Sequence, residues 1–508
     1  MKKKVLRKCA TFLAAAAAAS GAMSAGVWAE ESDPFLTGEK PELNIMYYAQ
    51  PYDMNEEPLK AVMEEITGYK INCHNLPSEN PEEKLMLEVA SGAEYDMYYR
   101  MGTSVFSQLA DKNALMDLTP LLEKYGQDIL ANVDELSWNA VKDEEGHILG
   151  IPLDAADPNP EEYPGTINGG IAFRSDILEE LGYDIPTTLD EFYEVCKAYT
   201  DTTGNPALTL TRTGWVKDIM SAFGIGDATW YDIDGVQTPR IKLEGFTDYV
   251  AFMQKLYREG ILDNDMPINA WENCKEKFTS NTAMGMTLYF WDIPSMKETL
   301  AVSNPDAKVV FAVYLAKDEN TPGFIATSQG VSDISVITKT AKNPEHAIIW
   351  YNEISKPENF RRIYIGEENV SYELKDGKYY PIFPAFNDYV NSDKFTGSIE
   401  YGERMAEWGA RARKTLEMAE AFEQMNAHID EYDFYVSCEG FVSDPVLNEY
   451  MPALNTAIND LLIKGIVEGS DAEAVVEEIL QTWEREGGPE CEEAIQKWYD
   501  EHQDIFEK

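Results

Sequence analysis

The sequence predicts an α/β protein that begins with a layer of mainly parallel strands and becomes helix-rich further along. Three observations carry this reading. Strand-like runs alternate with helical patterns between Leu43 and Tyr99, and parallel neighbours need such crossover helices. From Asp176 onward helical patterns dominate. The 508 residues exceed what one hydrophobic core organises, so two or three domains are expected.

The elements follow in order. Lys2, Lys3, Lys4, Arg7 and Lys8 precede a small, apolar run from Thr11 to Ala25, and Val27-Trp28-Ala29 offers a cleavage site. This is the pattern of a secretory leader covering residues 1–29, and the run is too short and alanine-rich for a membrane span. Cys9 falls in the basic region after Leu6-Arg7-Lys8, so it is not read as a lipid-attachment cysteine. Residues 43–48 read as a first strand. A helix over 58–67 is closed by Gly68, a second strand covers 69–73, a helix over 81–91 stops at Gly92, and a third strand covers 95–99. Glycine at these helix ends supplies the left-handed backbone that terminates a helix.

The later pattern is mostly helical. A helix over 177–181 ends at Gly182, and Thr188-Leu189-Asp190-Glu191 starts another with acidic residues that suit the helix dipole. Residues 246–258 form an amphipathic helix closed by Gly260. Residues 334–337 are again strand-like, and Asn343-Pro344-Glu345 starts a helix that runs through Ile354. The last hundred residues read as helices, with breaks expected at Gly465 and at Gly487-Gly488. In a parallel sheet, ligands gather beyond the carboxyl ends of the strands.

Charge narrows the function. There are 42 Lys and Arg against 90 Asp and Glu, a net charge of −48. Residues 1–29 hold five of the basic residues and none of the acidic ones, so the remainder is more acidic still. Such a chain repels nucleic acid and anionic membranes. The acidic residues spread along the whole length, as a solvated surface requires. Beyond Cys9 the cysteines are Cys73, Cys196, Cys274, Cys438 and Cys491. Their odd number and wide spacing exclude a disulfide framework and offer no metal or redox motif.

Catalytic patterns are lacking. His74, His147, His346, His428 and His502 are scattered, with no H-E-x-x-H and no G-x-S-x-G. Paired carboxylates can hydrolyse a glycosidic bond, but among 90 acidic residues a pair is found by chance. Asp232-Ile233-Asp234-Gly235 has the residues of a hairpin turn and lacks the downstream glutamate of a calcium loop.

The stretch AMGMTLYFWDIP, residues 283–294, is the most informative. Three adjacent rings, Tyr289, Phe290 and Trp291, cannot all face one core, because neighbours on an extended chain point opposite ways. Other candidates come from strand ends: Tyr47 and Tyr48 after the first strand, and Tyr98, Tyr99 and Arg100 after the third. Trp138, Trp215, Trp230 and Trp271 fall in loops or helix starts. For each of these, core packing and ligand contact both remain open. Arg174 either joins a site or pairs with a neighbouring carboxylate in the scaffold.

Several of these segments resemble a known family. Residues 174–191, RSDILEELGYDIPTTLDE, are similar to an R-x-D-x-L-x-x-L-G-x-x-x-P-x-T-x-x-E pattern of extracellular solute-binding protein family 1, the receptors of sugar-importing ABC transporters. Residues 87–97, LEVASGAEYDM, resemble its A-S-G-x-x-P-D segment with Tyr95 in place of proline. Residues 146–152 resemble its D-G-K-x-Y-G-I-P strand, and residues 258–262 and 343–347 match weaker patterns. The resemblance implies a periplasmic-binding-protein-like fold, two α/β lobes with a ligand cleft between them and a helix-rich second lobe. Lobe one would be residues 30–155 with 326–375, and lobe two residues 156–325 with 376–508, with crossings near Asp154, Ile325 and Lys375.

The resemblance further implies a monomeric, exported receptor with no catalytic activity and no cofactor. It would bind an oligosaccharide, close around it and dock on membrane permease subunits. Residues 283–291 resemble the strand that ends in a sugar-stacking aromatic in maltose-binding relatives. Trp291 would stack on a sugar face and Asp292 would accept a hydroxyl hydrogen bond, as carbohydrate recognition requires. Two departures stand out. The leader lacks the lipid-anchoring cysteine of many Gram-positive relatives. Asp201-Thr202-Thr203-Gly204-Asn205-Pro206 keeps the turn of a calcium loop found in some relatives but offers too few oxygen ligands, so no calcium is expected there.

Overall fold

The computed structural model describes residues 33–48, 53–77, 80–143, 145–153, 161, 165–302, 304, 307–328, 330–331, 333–389, 394–442 and 444–503. The expected leader and the crossing near Asp154 lie outside them. Residues Met1–Glu39 and Lys40–Lys508 are separate compact units. The first contributes one short helix, Pro34–Thr37, capped by the Asp33 carboxylate accepting from the Phe35 amide. The second unit holds all the other elements.

Its first sheet has five strands in the order Ile71–Asn75, Leu43–Tyr47, Met97–Gly102, Asp333–Val336, Ile151–Leu153. The first three are parallel, as the alternation of strands and helices predicts. Asp333–Val336 enters antiparallel between Met97–Gly102 and Ile151–Leu153. Helices Pro58–Thr67 and Pro344–Ile354 pack together, with Trp350 Nε1 donating to Met63 Sδ at 2.8 Å. Gly68 closes the first of these with φ of 71°.

The second sheet has four strands in the order Val309–Ala312, Gly169–Arg174, Gly285–Tyr289, Leu208–Thr209. Only its last pair is parallel. Thr188 caps helix Leu189–Thr203 through a reciprocal pair of hydrogen bonds with Glu191, and Gly204 ends it. One face of the sheet packs on that helix, on Phe246–Arg258 and on the C-terminal helices through Phe173, Phe192, Tyr249, Leu462 and Trp483. A second core, with Met286, Phe290, Phe311 and Phe422, covers the other face. Phe324–Ser328 and Asp433–Ser437 form a parallel ladder of their own.

Two glycine expectations resolve differently. The Asp232–Gly235 segment is the tight turn of the hairpin Trp230–Ile233/Val236–Pro239, with positive φ at Asp234 and Gly235, the geometry that favours this residue pair. Gly465 is not a break. Helix Pro445–Glu468 runs straight through it, because a β-carbon there would stand 2.4 Å from Val475 Cγ1 of the next helix. The glycine serves close packing.

Candidate functional site

The strand Gly285–Tyr289 alternates as a half-covered strand should, with Met286 and Leu288 buried and Thr287 and Tyr289 exposed. A single 3-10 turn, Phe290–Asp292, follows. It turns Phe290 into the core, 1 % exposed, against Phe422 at 5.5 Å and Trp408 at 6.2 Å. Tyr289 and Trp291 are thereby left outside, 49 % and 44 % exposed. Their rings stack on one another, centroids 4.6 Å apart and planes inclined by 6°. The result is an exposed aromatic shelf two rings thick at the end of the strand.

Asp292 fixes this turn by accepting from the Tyr289 amide at 3.0 Å. Burial raises its carboxyl above the ordinary range, and the Lys275 charge partly offsets this. Trp271 begins the helix Trp271–Thr279, packs half-buried on the same core as Phe290, and carries Lys275 5.0 Å over its ring. The structure thus brings Trp271, Tyr289, Trp291 and Asp292 to one end of the second sheet.

At the carboxyl end of the first sheet the predicted residues divide. Tyr47 and Tyr99 are buried, 2 % and 1 % exposed, with their rings 5.1 Å apart. They are core because this sheet is covered on both faces. Tyr48, one residue on, is half-buried, and burial raises its hydroxyl pKa. Arg100 adopts a left-handed backbone, φ 54°. Its Nε and Nη2 donate to Asp333 Oδ2 at 3.1 and 2.9 Å, and its amide donates to Ser335 Oγ at 3.1 Å. Arg404, on helix Tyr401–Ala412, is close enough for its guanidinium to be lowered to about 10, by burial first and then by Arg100. The same helix carries Trp408 onto Phe290, so it connects the Arg100 end of the first sheet with the base of the aromatic shelf. Sequence reasoning missed Arg404 and Trp408, since neither belongs to a strand end or a motif.

The remaining tryptophans are structural in their surroundings. Trp138 lies inside helix Glu135–Asn139 at 7 % exposure, and Trp230 lies in a strand at 2 %, edge-on to Trp483 at 5.7 Å. Trp215 stacks on Phe246 at 5.6 Å with Arg240 4.0 Å over its ring. Arg174 is 1 % exposed and donates to Asp176 Oδ1 at 2.8 Å and Asn281 Oδ1 at 2.6 Å, which is the scaffold alternative.

Three other features have their polar groups engaged within the protein. Asp143, Glu145 and His147 form the one group of potential metal ligands among the described residues. The Asp143 carboxylate already accepts from the Glu145 and His147 amides and the His147 ring. Asp201 of the shortened calcium-type turn pairs with Lys197. A groove of about 870 Å³ lies between Thr188, Phe311, Asp318 and His428, and its lining includes none of Tyr289, Trp291 and Asp292. Its Glu191 caps a helix and its His428 bonds Glu431.

Comparison with known proteins adds the context. The family described as bacterial extracellular solute-binding protein matches residues 59–371. An uncharacterized protein in the butB 5′ region of Niallia circulans is 30% identical over 261 residues, covering 50% of this chain and 98% of its own. The fructooligosaccharide ABC transporter substrate-binding protein FusA of Streptococcus pneumoniae is 25% identical, covering 69% of each chain. Among solved structures, the alginate-binding protein AlgQ2 without calcium ion superposes with a TM-score of 0.64 at 18% identity, over 92% of this chain and 99% of that one. At that identity the likeness establishes the periplasmic-binding-protein-like fold.

Proposed function

Because the chain belongs to the bacterial extracellular solute-binding protein family, we propose that it is the carbohydrate receptor of an ABC importer and carries an oligosaccharide to the permease. The observation that carries this is the exposed, parallel Tyr289–Trp291 pair beside Asp292. Sugar rings present C–H faces bordered by hydroxyls, so a flat aromatic flanked by a carboxylate suits them. Relatives that bind fructooligosaccharide and alginate by name support the same reading.

In this reading the lobes are residues 30–155 with 326–375 and 156–325 with 376–508. Ligand is held between the two sheets by Trp291, Tyr289, Asp292 and Trp271 on one side and Tyr48 and Arg100 on the other. Hinge closure around the sugar creates the form that the permease recognises. In this reading the receptor catalyses nothing, works as a monomer and is exported.

A thermal-shift screen of residues 30–508 tests this. The panel is fructooligosaccharides, alginate oligomers, oligogalacturonates, malto-oligosaccharides and N-glycan fragments, with peptides as controls. A ligand at a hundred times its dissociation constant adds about 2.7 kcal/mol. The expected result is a shift with one saccharide class, abolished in Trp291→Ala. A shift with peptides alone makes the protein a receptor for another solute, and turnover of any saccharide makes it an enzyme.

A further inference from the structure

A cavity of about 180 Å³ has one wall from the first sheet and its helices and the other from the C-terminal part of the chain. The first wall holds Thr103 and Ser107 of helix Thr103–Asp111, Ala140, and Ile334 of the strand Asp333–Val336. The second holds Glu439 of the turn Cys438–Phe441 and Asn448 of helix Pro445–Glu468. Thr103 directly follows the strand Met97–Gly102, and the Glu439 turn directly follows Asp433–Ser437. Both walls thus stand beyond the carboxyl end of a strand with a parallel neighbour, where ligands gather. Asn448 Nδ2 joins the walls by donating to Ser107 Oγ at 3.1 Å.

The lining suits a sugar. Among the described residues, nothing donates to Asn448 Oδ1 and the Thr103 hydroxyl has no partner. The Thr229 amide fixes Glu439 by donating to its two oxygens at 3.0 and 3.2 Å, and a carboxylate still has room for further donors. Sugar hydroxyls can donate to Glu439 and Asn448 and accept from Thr103, while Ile334 supplies apolar surface for C–H groups. The volume falls short of the about 300 to 1,000 Å³ of a pocket for a drug-sized ligand, so it takes one ring rather than a chain. Charge sorts that ring. Glu439 is the one charged group among the described lining residues. Arg240, whose charge acts on Glu439, lies outside the lining, 4.0 Å over the Trp215 ring and donating to the Asp227 carbonyl at 3.3 Å. The start of helix Thr103–Asp111 offers about half a positive charge, less than the full negative charge of Glu439. A uronate would bring a second carboxylate between the same walls, and an uncompensated like charge rejects a ligand.

We propose that this cavity is a subsite for one neutral sugar unit, held by Glu439, Asn448 and Thr103, and that it excludes uronate units. This rests on the receptor reading above. It narrows the cargo to saccharides that offer an uncharged unit here, and homopolymers of uronate are rejected.

Titration calorimetry of residues 30–508 tests it, with fructooligosaccharides, malto-oligosaccharides and N-glycan fragments set against alginate oligomers and oligogalacturonates. A neutral saccharide should bind the wild type, with both uronate series at least about tenfold weaker. Glu439→Gln keeps an oxygen for the Thr229 amide. It should weaken the neutral ligand by about ten- to a hundredfold, as loss of a hydrogen bond to a charged group does, and shrink its lead over the uronates. Ala140→Leu, which fills the cavity, should weaken binding as much without lowering the melting temperature, and it decides the matter by itself if Glu439→Gln fails to fold. Wild-type affinity in both variants, with binding still lost in Trp291→Ala, overturns the subsite and leaves the receptor standing. So does a wild-type protein that binds uronate oligomers best. A lowered melting temperature with unchanged affinity in Glu439→Gln makes Glu439 a structural strut and also overturns the subsite. A wild-type protein that binds no saccharide overturns both readings together.

Discussion

Arg361 Nε approaches one oxygen of Glu407 to 2.6 Å, while the other oxygen of that carboxylate is buried with no partner. Burial, strengthened by the Glu403 charge and only partly offset by Arg361, pushes the Glu407 carboxyl from 4.5 up to about 7. The native state therefore holds this proton more tightly than the unfolded chain does. Its stabilising contribution is whole below about pH 4.5 and is lost as the pH rises through about 7. Up to about 3 kcal/mol depends on it. Urea midpoints at stepped pH should fall across this window, and Glu407→Gln should flatten that part of the slope. An unchanged slope in the variant would place the titration elsewhere.

Helix Pro445–Glu468 supplies a second expectation. Alanine at Gly465 gains about 1 kcal/mol of helix propensity, but its methyl would lie 2.4 and 2.7 Å from the two Val475 methyls. Overpacking costs about 1 to 3 kcal/mol, so Gly465→Ala should be destabilising on balance. Val475→Ala in the same chain should recover part of the loss, which guanidinium unfolding can resolve.

Arg174 should matter for stability and not for binding. Its guanidinium is buried against Asp176 and Asn281, and removing one partner strands the other. Arg174→Met should cost about 2 to 3 kcal/mol, the range for lost hydrogen bonds to a charged group, while saccharide affinity, measured by calorimetry well below the melting temperature, stays at the wild-type value.

Cys73, Cys196, Cys274, Cys438 and Cys491 are all free and buried. Burial raises each of them, Cys73 and Cys438 to about 12 and Cys491 to about 11. Reactivity needs an accessible thiolate. Ellman's reagent at pH 8 should find almost none of them in native residues 30–508 and all five after denaturation. Prompt labelling of the native state would show that a cysteine is exposed in solution.

Local signals survived in the structure wherever the cause was local. Helix Phe246–Arg258 has its predicted bounds, and Gly182 and Thr188 end and begin their helices as expected because each terminus is decided within a few residues. Phe290 could be separated from Tyr289 and Trp291 by pattern alone. Tyr47 and Tyr99 could not be assigned, since a strand covered on both faces gives no alternation to read. Trp230 is buried by Trp483 and Gly465 by Val475. In each case the deciding partner lies beyond any local window.

The strand Asp333–Val336 also sets an order of events. Ile151–Leu153 pairs with it alone in the first sheet, and Met97–Gly102 keeps an open edge until it arrives. A chain that emerges from its amino terminus therefore holds an unfinished sheet while some 180 further residues are delivered. Closing so long a loop slows folding, and the waiting edge invites pairing with other chains. Folding of this sheet is a post-delivery step, and shortening the chain before Val336 should yield an aggregation-prone product rather than a smaller folded domain.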